Sequence, residues 1–245
     1  MVNASYQPLI FNSNLNSHIK SSVISSNLCT TFRRLVMSDL HLGSSYCNEA
    51  DILNTLETET FDQLILAGDI IDFQRIPKFT KTSLKIFECI SSINDVIYII
   101  GNHDNAFDKF SNSQLFNIKF CDQYEFVDNN KRFKVEHGNN FDCNIINCVF
   151  FMNILCVFAN LIENLFKINL HNLNFFKPNL NLKKIFQKNS HIDTIIMGHF
   201  HHPEISITEI NNKIYTYANC GDFVKNSSYL IIEDGVVSLK YVSST

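Results

Sequence analysis

Five short clusters of Asp, Asn and His punctuate this chain of 245 residues: Asp39-Leu40-His41, Gly68-Asp69-Ile70-Ile71-Asp72, Gly101-Asn102-His103-Asp104, His137-Gly138 and Gly198-His199-Phe200-His201. Singly, each has an ordinary explanation. A lone Asp before a turn is a turn former, and a lone His at a strand end is a hydrogen-bonded surface residue. Together, each at the end of an apolar run, they make up the donor set of a metal centre. Mixed imidazole and carboxylate ligands suit manganese, iron or zinc. A carboxylate has two oxygens and can bridge two cations, the arrangement of two-metal hydrolases. In D-x-H and H-x-H, an extended backbone would point the first and third side chains the same way, into one pocket. Glycines near these residues (Gly43, Gly68, Gly101, Gly138 and Gly198) allow tight turns and close backbone approach.

The elements that must carry these residues are legible as alternating patterns. Residues 33–38 (RRLVMS), 62–69 (DQLILAGD) and 95–104 (DVIYIIGNHD) are short apolar runs ending in polar loops, as buried strands do. Between them, residues 49–59 and 80–92 have helical character, the second through Leu84, Phe87 and Ile90. Strand–helix–strand–helix–strand is the pattern of parallel strands with crossover helices, and ligands bind such sheets past the strands' C-terminal ends. Further on, two alternating runs flank Asp128-Asn129-Asn130, and residues 193–198 (DTIIMG) read as another strand. The tail reads as hairpins around Asn211-Asn212 and Asp234-Gly235. The expected architecture is α/β: a four-layer α/β/β/α sandwich of two mixed sheets, with outer helices and a helical insertion at about 142–190. Residues 1–32, rich in Asn and Ser, are expected to form a loosely held leader before a single domain over 33–245.

Composition narrows the function. A net charge of -4 offers no basic footprint for nucleic acid, and 45% hydrophobic against 18% charged residues is a globular profile. The eight cysteines include no CxxC pair and no zinc-finger spacing, so reduced, buried thiols in a cytoplasmic protein are expected. The N-terminus shows no basic segment followed by an apolar stretch, so no signal peptide is read. His171, His191 and His202 lie outside the motifs and read as polar surface residues.

The order D-x-H, GDxxD, GNHD, HG, GHxH resembles the calcineurin-like metallophosphoesterase superfamily, over roughly residues 33 to 225. The resemblance implies two divalent metal ions, manganese first with iron or zinc as alternatives. Asp39, His41 and His201 would hold one, Asn102, His137 and His199 the other, and Asp69 would bridge them. It makes His103 the group that protonates the leaving oxygen or stabilises developing charge, with Asp72 orienting it. The protein serine/threonine phosphatases of that superfamily carry GNHE and an Arg after the second Asp of GDxxD, where this chain has Asp104 and Phe73. The pieces SDLHLG, GDIIDF, HGNNFD, GHFHHP and YANCGDFV are closer to the UDP-2,3-diacylglucosamine hydrolase-like group, although its best-known members have Arg in place of His103. The resemblance therefore implies hydrolysis of a phosphoester or phosphoanhydride of a phosphorylated small molecule or lipid-linked nucleotide. A UDP-2,3-diacylglucosamine-type pyrophosphatase is the leading expectation, and a soluble-nucleotide phosphodiesterase or phosphatase is the alternative enzyme. A non-catalytic scaffold of the same fold is the alternative from another class, and the full ligand set weighs against it.

Residues 143–168 are nearly all apolar, with Asn153, Asn160, Asn164 and Lys167 in one narrow arc of a helical projection. These polar residues and Glu163 argue against a membrane span. A core helix is one reading; a lid or membrane-surface helix that receives acyl chains, with peripheral contact at the membrane's inner face, is the other.

Overall fold

The computed structural model describes residues 31–141 and 180–243. The leader before Thr31, the apolar stretch 143–168 and His171 lie outside the described residues.

Each expected strand forms, and each stops where its polar cluster begins. Strands β1 (Arg33–Met37), β2 (Gln63–Ala67) and β3 (Val96–Ile99) lie side by side and parallel. Helices α1 (Glu49–Thr58) and α2 (Lys81–Ser92) make the crossovers. Helix α2 starts at Thr80, whose hydroxyl accepts from the backbone N–H groups of Thr82 and Ser83, while the Ser83 hydroxyl accepts from the N–H of Thr80. This reciprocal cap satisfies donors that a bare helix start would leave unpaired.

Two strands absent from the sequence reading extend this sheet: β4 (Gln114–Leu115) and β5 (Ile118–Cys121). They are short and sit at the edge, where local pattern is weakest. The rest of the chain supplies β6 (Gln123–Asp128), β7 (Lys131–Glu136), helix α3 (Leu182–Lys188), β8 (Thr194–Met197), β9 (Glu204–Ile210), β10 (Lys213–Asn219), β11 (Ser228–Glu233) and β12 (Val236–Tyr241). Three hairpins close on two left-handed residues each: Asn129-Asn130, Asn211-Asn212 and Asp234-Gly235. Two consecutive positive φ angles match the right-handed twist of the flanking strands.

The strands assemble into a seven-stranded sheet, β12-β11-β1-β2-β3-β5-β4, and a five-stranded sheet, β6-β7-β8-β10-β9, both mixed. Side-chain alternation produces the layers. Val36, Ile65, Ile97 and Leu230 of the first sheet meet Phe133, Val135, Ile196 and Ala218 of the second in one buried core. Leu35, Leu64, Leu66 and Val96 point the other way, onto Ile52 of α1 and Ile86 and Ile90 of α2. On the far side, Ile195, Met197, Tyr215 and Tyr217 pack with Ile185 and Phe186 of α3. The expected α/β/β/α sandwich is thus built from period-two strands buried on both faces.

Cys47, Cys89, Cys121 and Cys220 are free thiols. Among the described residues, no helix is long and apolar enough to cross a membrane.

Candidate metal centre

Because β1, β2 and β3 of one sheet and β7 and β8 of the other end on the same side, their following loops converge. Backbone bonds stitch them together: the N–H of Asp39 donates to Gly68 O (3.0 Å), that of His41 to Asp69 O (3.0 Å), and that of Gly198 to His137 O (3.0 Å). The expectation that D-x-H and H-x-H are extended is corrected here. Asp39, His41, Asp69, His199 and His201 all adopt positive φ, between 49° and 65°. Left-handed backbone is costly for residues with a Cβ, and it persists where surrounding structure imposes it, as at functional sites. The side chains converge through a series of tight left-handed turns rather than along a strand.

Two glycines let these turns close. A Cβ at Gly101 would lie 2.2 Å from Asp69 Oδ1, and one at Gly198 would lie 2.5 Å from Asp39 Oδ2. Neither glycine has a positive φ. Close approach, not backbone freedom, is what these positions require.

The result is three sets of donors, each with ligand atoms within 4.8 Å of one another: Asp39, His41 and His201; Asp69, His137 and His199; and His41, Asp72 and His103. Asn102 joins the second set, its Oδ1 lying 3.0 Å from His137 Nε2. All nine residues singled out in the sequence are therefore brought together. His191 and His202 are not; His191 sits exposed beside Glu125 and His202 half-buried beside Glu204, in keeping with polar surface positions.

Asp39 is fully buried. Its Oδ2 accepts from the Ser38 hydroxyl (2.6 Å) and from the His199 N–H (2.8 Å), and its Oδ1 lies 3.2 Å from His201 Nε2. Burial would raise its pKa, but His201, His137 and His41 outweigh that and hold it far below the carboxylate range. Asp69 behaves alike: burial is outweighed by His137, 3.2 Å away, and brought down to about 2. Its charge also acts on His41, a member of the neighbouring donor set.

The histidines divide by environment. Burial pushes His41 down to about 4, leaving a neutral ring. His137 goes the other way, up to about 9: burial opposes the charge, but Asp69 and the Ala67 carbonyl favour it. His137 Nδ1 faces Ala67 O at 3.0 Å and so carries a proton there, which directs Nε2 into the centre. His201 rises to about 10 against burial, through Asp39 and then Asp222. The His103 ring places Nδ1 3.0 Å from Asp72 Oδ1 and Nε2 3.8 Å from Asp69 Oδ2; burial is again outweighed, and its pKa is raised.

These residues fit divalent cations. Among the described residues, Asp39 Oδ1 and His41 Nε2 are buried without a hydrogen-bond partner, Asp39 Oδ1 having only the ion-pair contact with His201. Unpaired buried polar atoms are costly in a protein interior, and a cation between them removes that cost. A cation on His137 Nε2 would likewise replace the proton that Asp69 now attracts. The donor set of carboxylate, imidazole and one amide oxygen is that of borderline to hard divalent metals.

The calcineurin-like phosphoesterase profile matches residues 32–219. The chain belongs to the calcineurin-like phosphoesterase family. It is thereby a hydrolase that acts on phosphoesters, with a divalent-cation site as its candidate centre. Among solved structures, the phosphoesterase Yfce from E. coli aligns at 17% identity over 86% of this chain and 94% of its own, with a TM-score of 0.50. A novel archaeal phosphodiesterase aligns at 14% identity over 85% of this chain and 99% of its own, with a TM-score of 0.46. Vacuolar protein sorting 29 from Cryptosporidium parvum does so at 14% identity over 86% and 96%, with a TM-score of 0.47. At such identities the likeness is one of fold. A comparison with curated protein sequences returned no match.

Three supporting residues were not singled out from the sequence. Ser38 holds Asp39, as above. Asp222 is fully buried, accepts from the Val224 N–H (2.8 Å), and places Oδ2 3.5 Å from His201 Nδ1. Asp104 is also fully buried; burial and then the charge of Asp69 push it up to about 6. The signals were present as the last residue of GNHD and the Asp of GDFV, but neither reveals a partner without the fold.

Proposed function

We propose that this phosphoesterase works through a dinuclear divalent-metal centre, with Asp39, His41 and His201 holding one ion, Asn102, His137 and His199 the other, and Asp69 shared. The observation that carries this is the convergence of five strand ends on two donor sets, with Asp39 Oδ1 and His41 Nε2 buried and lacking a hydrogen-bond partner among the described residues. Bound there, two cations would supply Lewis acidity, neutralising phosphoryl oxygens and making water acidic enough to serve as nucleophile at neutral pH.

The chain's own residues supply the rest. His103 is one-fifth exposed on its side chain, facing the donor sets, with its other nitrogen tied to Asp72. Asp72 accepts the Nδ1–H and favours the charged ring, so Nε2–H is available to a leaving oxygen. As the bond from phosphorus to that oxygen breaks, the proton passes from Nε2 to it. An acid at this place matters most for an alkoxide leaving group, which departs poorly unprotonated. This favours phosphomonoesters or phosphodiesters, including those of soluble nucleotides.

A second reading is a UDP-2,3-diacylglucosamine-type pyrophosphatase, supported by SDLHLG, GDIIDF and GHFHHP. There the leaving group is a phosphate that needs no proton, and the Arg-to-His change at position 103 weighs against it. Manganese is the first metal to test.

The test is hydrolysis of bis-p-nitrophenyl phosphate, p-nitrophenyl phosphate, an alkyl phosphodiester, a dinucleoside polyphosphate and UDP-2,3-diacylglucosamine with added Mn2+. In His103→Ala, alkyl ester cleavage should fall ~10²–10⁴-fold, and the p-nitrophenyl esters, whose leaving group needs less help, should fall less. Equal losses on both would remove the acid role. Cleavage of the lipid nucleotide alone would establish the second reading, and no turnover with Mn2+ bound would move a scaffold role to the front.

A further inference from the structure

The Asp69-to-Asp72 loop and the Gly101-to-Asp104 turn come from different strands, β2 and β3, yet their side chains must meet within one centre. Neither loop is regular structure, and both carry groups whose positions matter to a fraction of an ångström. The Phe73 N–H to His103 O bond and the His103 contacts with Asp69 and Asp72 cross between them, and one buried carboxylate gathers four donors at their junction. Asp104 Oδ1 accepts from the Ile71 N–H (2.9 Å) and the Tyr98 hydroxyl (2.9 Å). The Ile70 N–H is shared by both oxygens (3.1 Å each), and Oδ2 accepts from the Gly101 N–H (3.2 Å).

We propose that Asp104 is the positioning residue of the centre: it joins the loop bearing Asp69 and Asp72 to the turn bearing Asn102 and His103, and so sets the second metal site and the leaving-group acid together. The inference rests on the metal assignment above. Four reasons support it. Two of the four donors are the backbone N–H groups immediately after Asp69, in the stretch leading to Asp72, so the carboxylate grips the segment that bears both. Four donors converge on its two oxygens, so every contact is one that the carboxylate accepts. Asp104 reaches no solvent and belongs to none of the three donor sets found among the described residues, so it acts through its neighbours. Finally, the His103 N–H donates to Asp69 Oδ1 at 2.8 Å, a bond from turn to loop that needs the same alignment.

The arrangement predicts an asymmetric failure. In Asp104→Asn the side chain keeps its shape, but its NH2 would face backbone N–H donors. The turn bearing Asn102 and His103 then shifts against the loop bearing Asp69, whereas that loop stays bonded to the Asp39–Leu42 segment through Leu42 N–H to Ile70 O and Asp72 N–H to Leu42 O, so Asp39, His41 and His201 keep their places. Outer partners of metal ligands are typically worth ~10–100-fold in metal affinity. The experiment is titration of metal-free protein with Mn2+ by calorimetry, with electron paramagnetic resonance to detect a coupled ion pair. Wild type should bind two ions. Asp104→Asn should bind one at the concentration that fills both in wild type, and should lose the coupled signal, at temperatures where circular dichroism shows both proteins folded. Tyr98→Phe keeps the ring contacts with Phe107 and Phe120 and removes one donor, and should weaken the second ion in the same direction but less. If Asp104→Asn does not fold, Tyr98→Phe decides the matter on the same readouts. Two ions bound with wild-type affinity in a folded variant, or both ions weakened alike, would overturn the inference while leaving the metal assignment standing. No Mn2+ uptake by wild type would remove both.

Discussion

Replacing Gly198 by alanine would put a methyl group where the Ser38 side chain already sits. The added Cβ would lie 1.7 Å from Ser38 Oγ, 2.5 Å from Asp39 Oδ2 and 2.7 Å from Ser38 Cβ. Carbon atoms first make favourable contact at ~3.5 Å, so the hydroxyl must move by more than its neighbours can absorb. That hydroxyl holds Asp39 Oδ2 at 2.6 Å and Ala67 O at 2.9 Å, so moving it releases the ligand and its anchor together. Overpacking of this kind costs ~1–3 kcal/mol, which for a chain of this size lowers Tm by ~2–4 °C per kcal/mol. Misplacing a reacting group by ~1 Å costs ~10²-fold in rate. Gly198→Ala should therefore lose ~10²-fold of Mn2+-dependent bis-p-nitrophenyl phosphate hydrolysis and melt ~2–12 °C lower. Gly235→Ala is the comparison. Its φ is +71° and its added Cβ would meet Asn129 Cβ at 3.0 Å, in the turn between β11 and β12. Because Glu233 pairs with Arg33 at the start of β1, that turn lies at the opposite end of the sheet from the centre. It should lose stability and keep its rate. If Gly198→Ala also keeps its rate while melting lower, Asp39 is not a ligand and the assignment of the first site fails.

Two further outcomes follow from the same geometry. Asp222→Asn removes the charge that faces His201 Nδ1 at 3.5 Å, and Mn2+ affinity measured by calorimetry should fall ~10–100-fold. Asp193 supplies a pH effect away from the centre: burial would raise its pKa, but the Arg132 N–H and Lys213 outweigh it and bring it below 3.8. A lowered carboxylate pKa stabilises the fold above its unfolded value and loses that contribution as pH falls through the folded value. Melting curves of wild type and Asp193→Asn should be separated above pH 3.8 and converge below it; curves that stay parallel into acid would show that the charge contributes nothing.

Much of this protein could be read before folding was considered. Val, Ile and Leu runs bounded by Asp, Asn and Gly placed the strands to within a residue or two, because period-two burial and turn chemistry are local. The Asp, Asn and His clusters were legible as donors because each stands in the loop after a strand, while the choice of seven ligand candidates and of the pair His103 and Asp72 came from the family resemblance. The layering of Val36 and Ile65 inward and Leu35 and Leu64 outward also follows from alternation once two sheets are assumed.

What only the tertiary structure decided is how these pieces meet. No local pattern announces β4 and β5, which exist because β3 offers an open edge. Nor does sequence spacing reveal that Asp39, His41, Asp69, His199 and His201 are left-handed, since that strain is imposed by bonds between loops far apart in the chain. The roles of Ser38, Asp104 and Asp222 were hidden for the same reason. An Asp that grips two backbone N–H groups more than thirty residues away looks, in sequence, like any other Asp. Donor types are a local property and can be read from the chain, whereas their register is set by which strand ends the two sheets bring together.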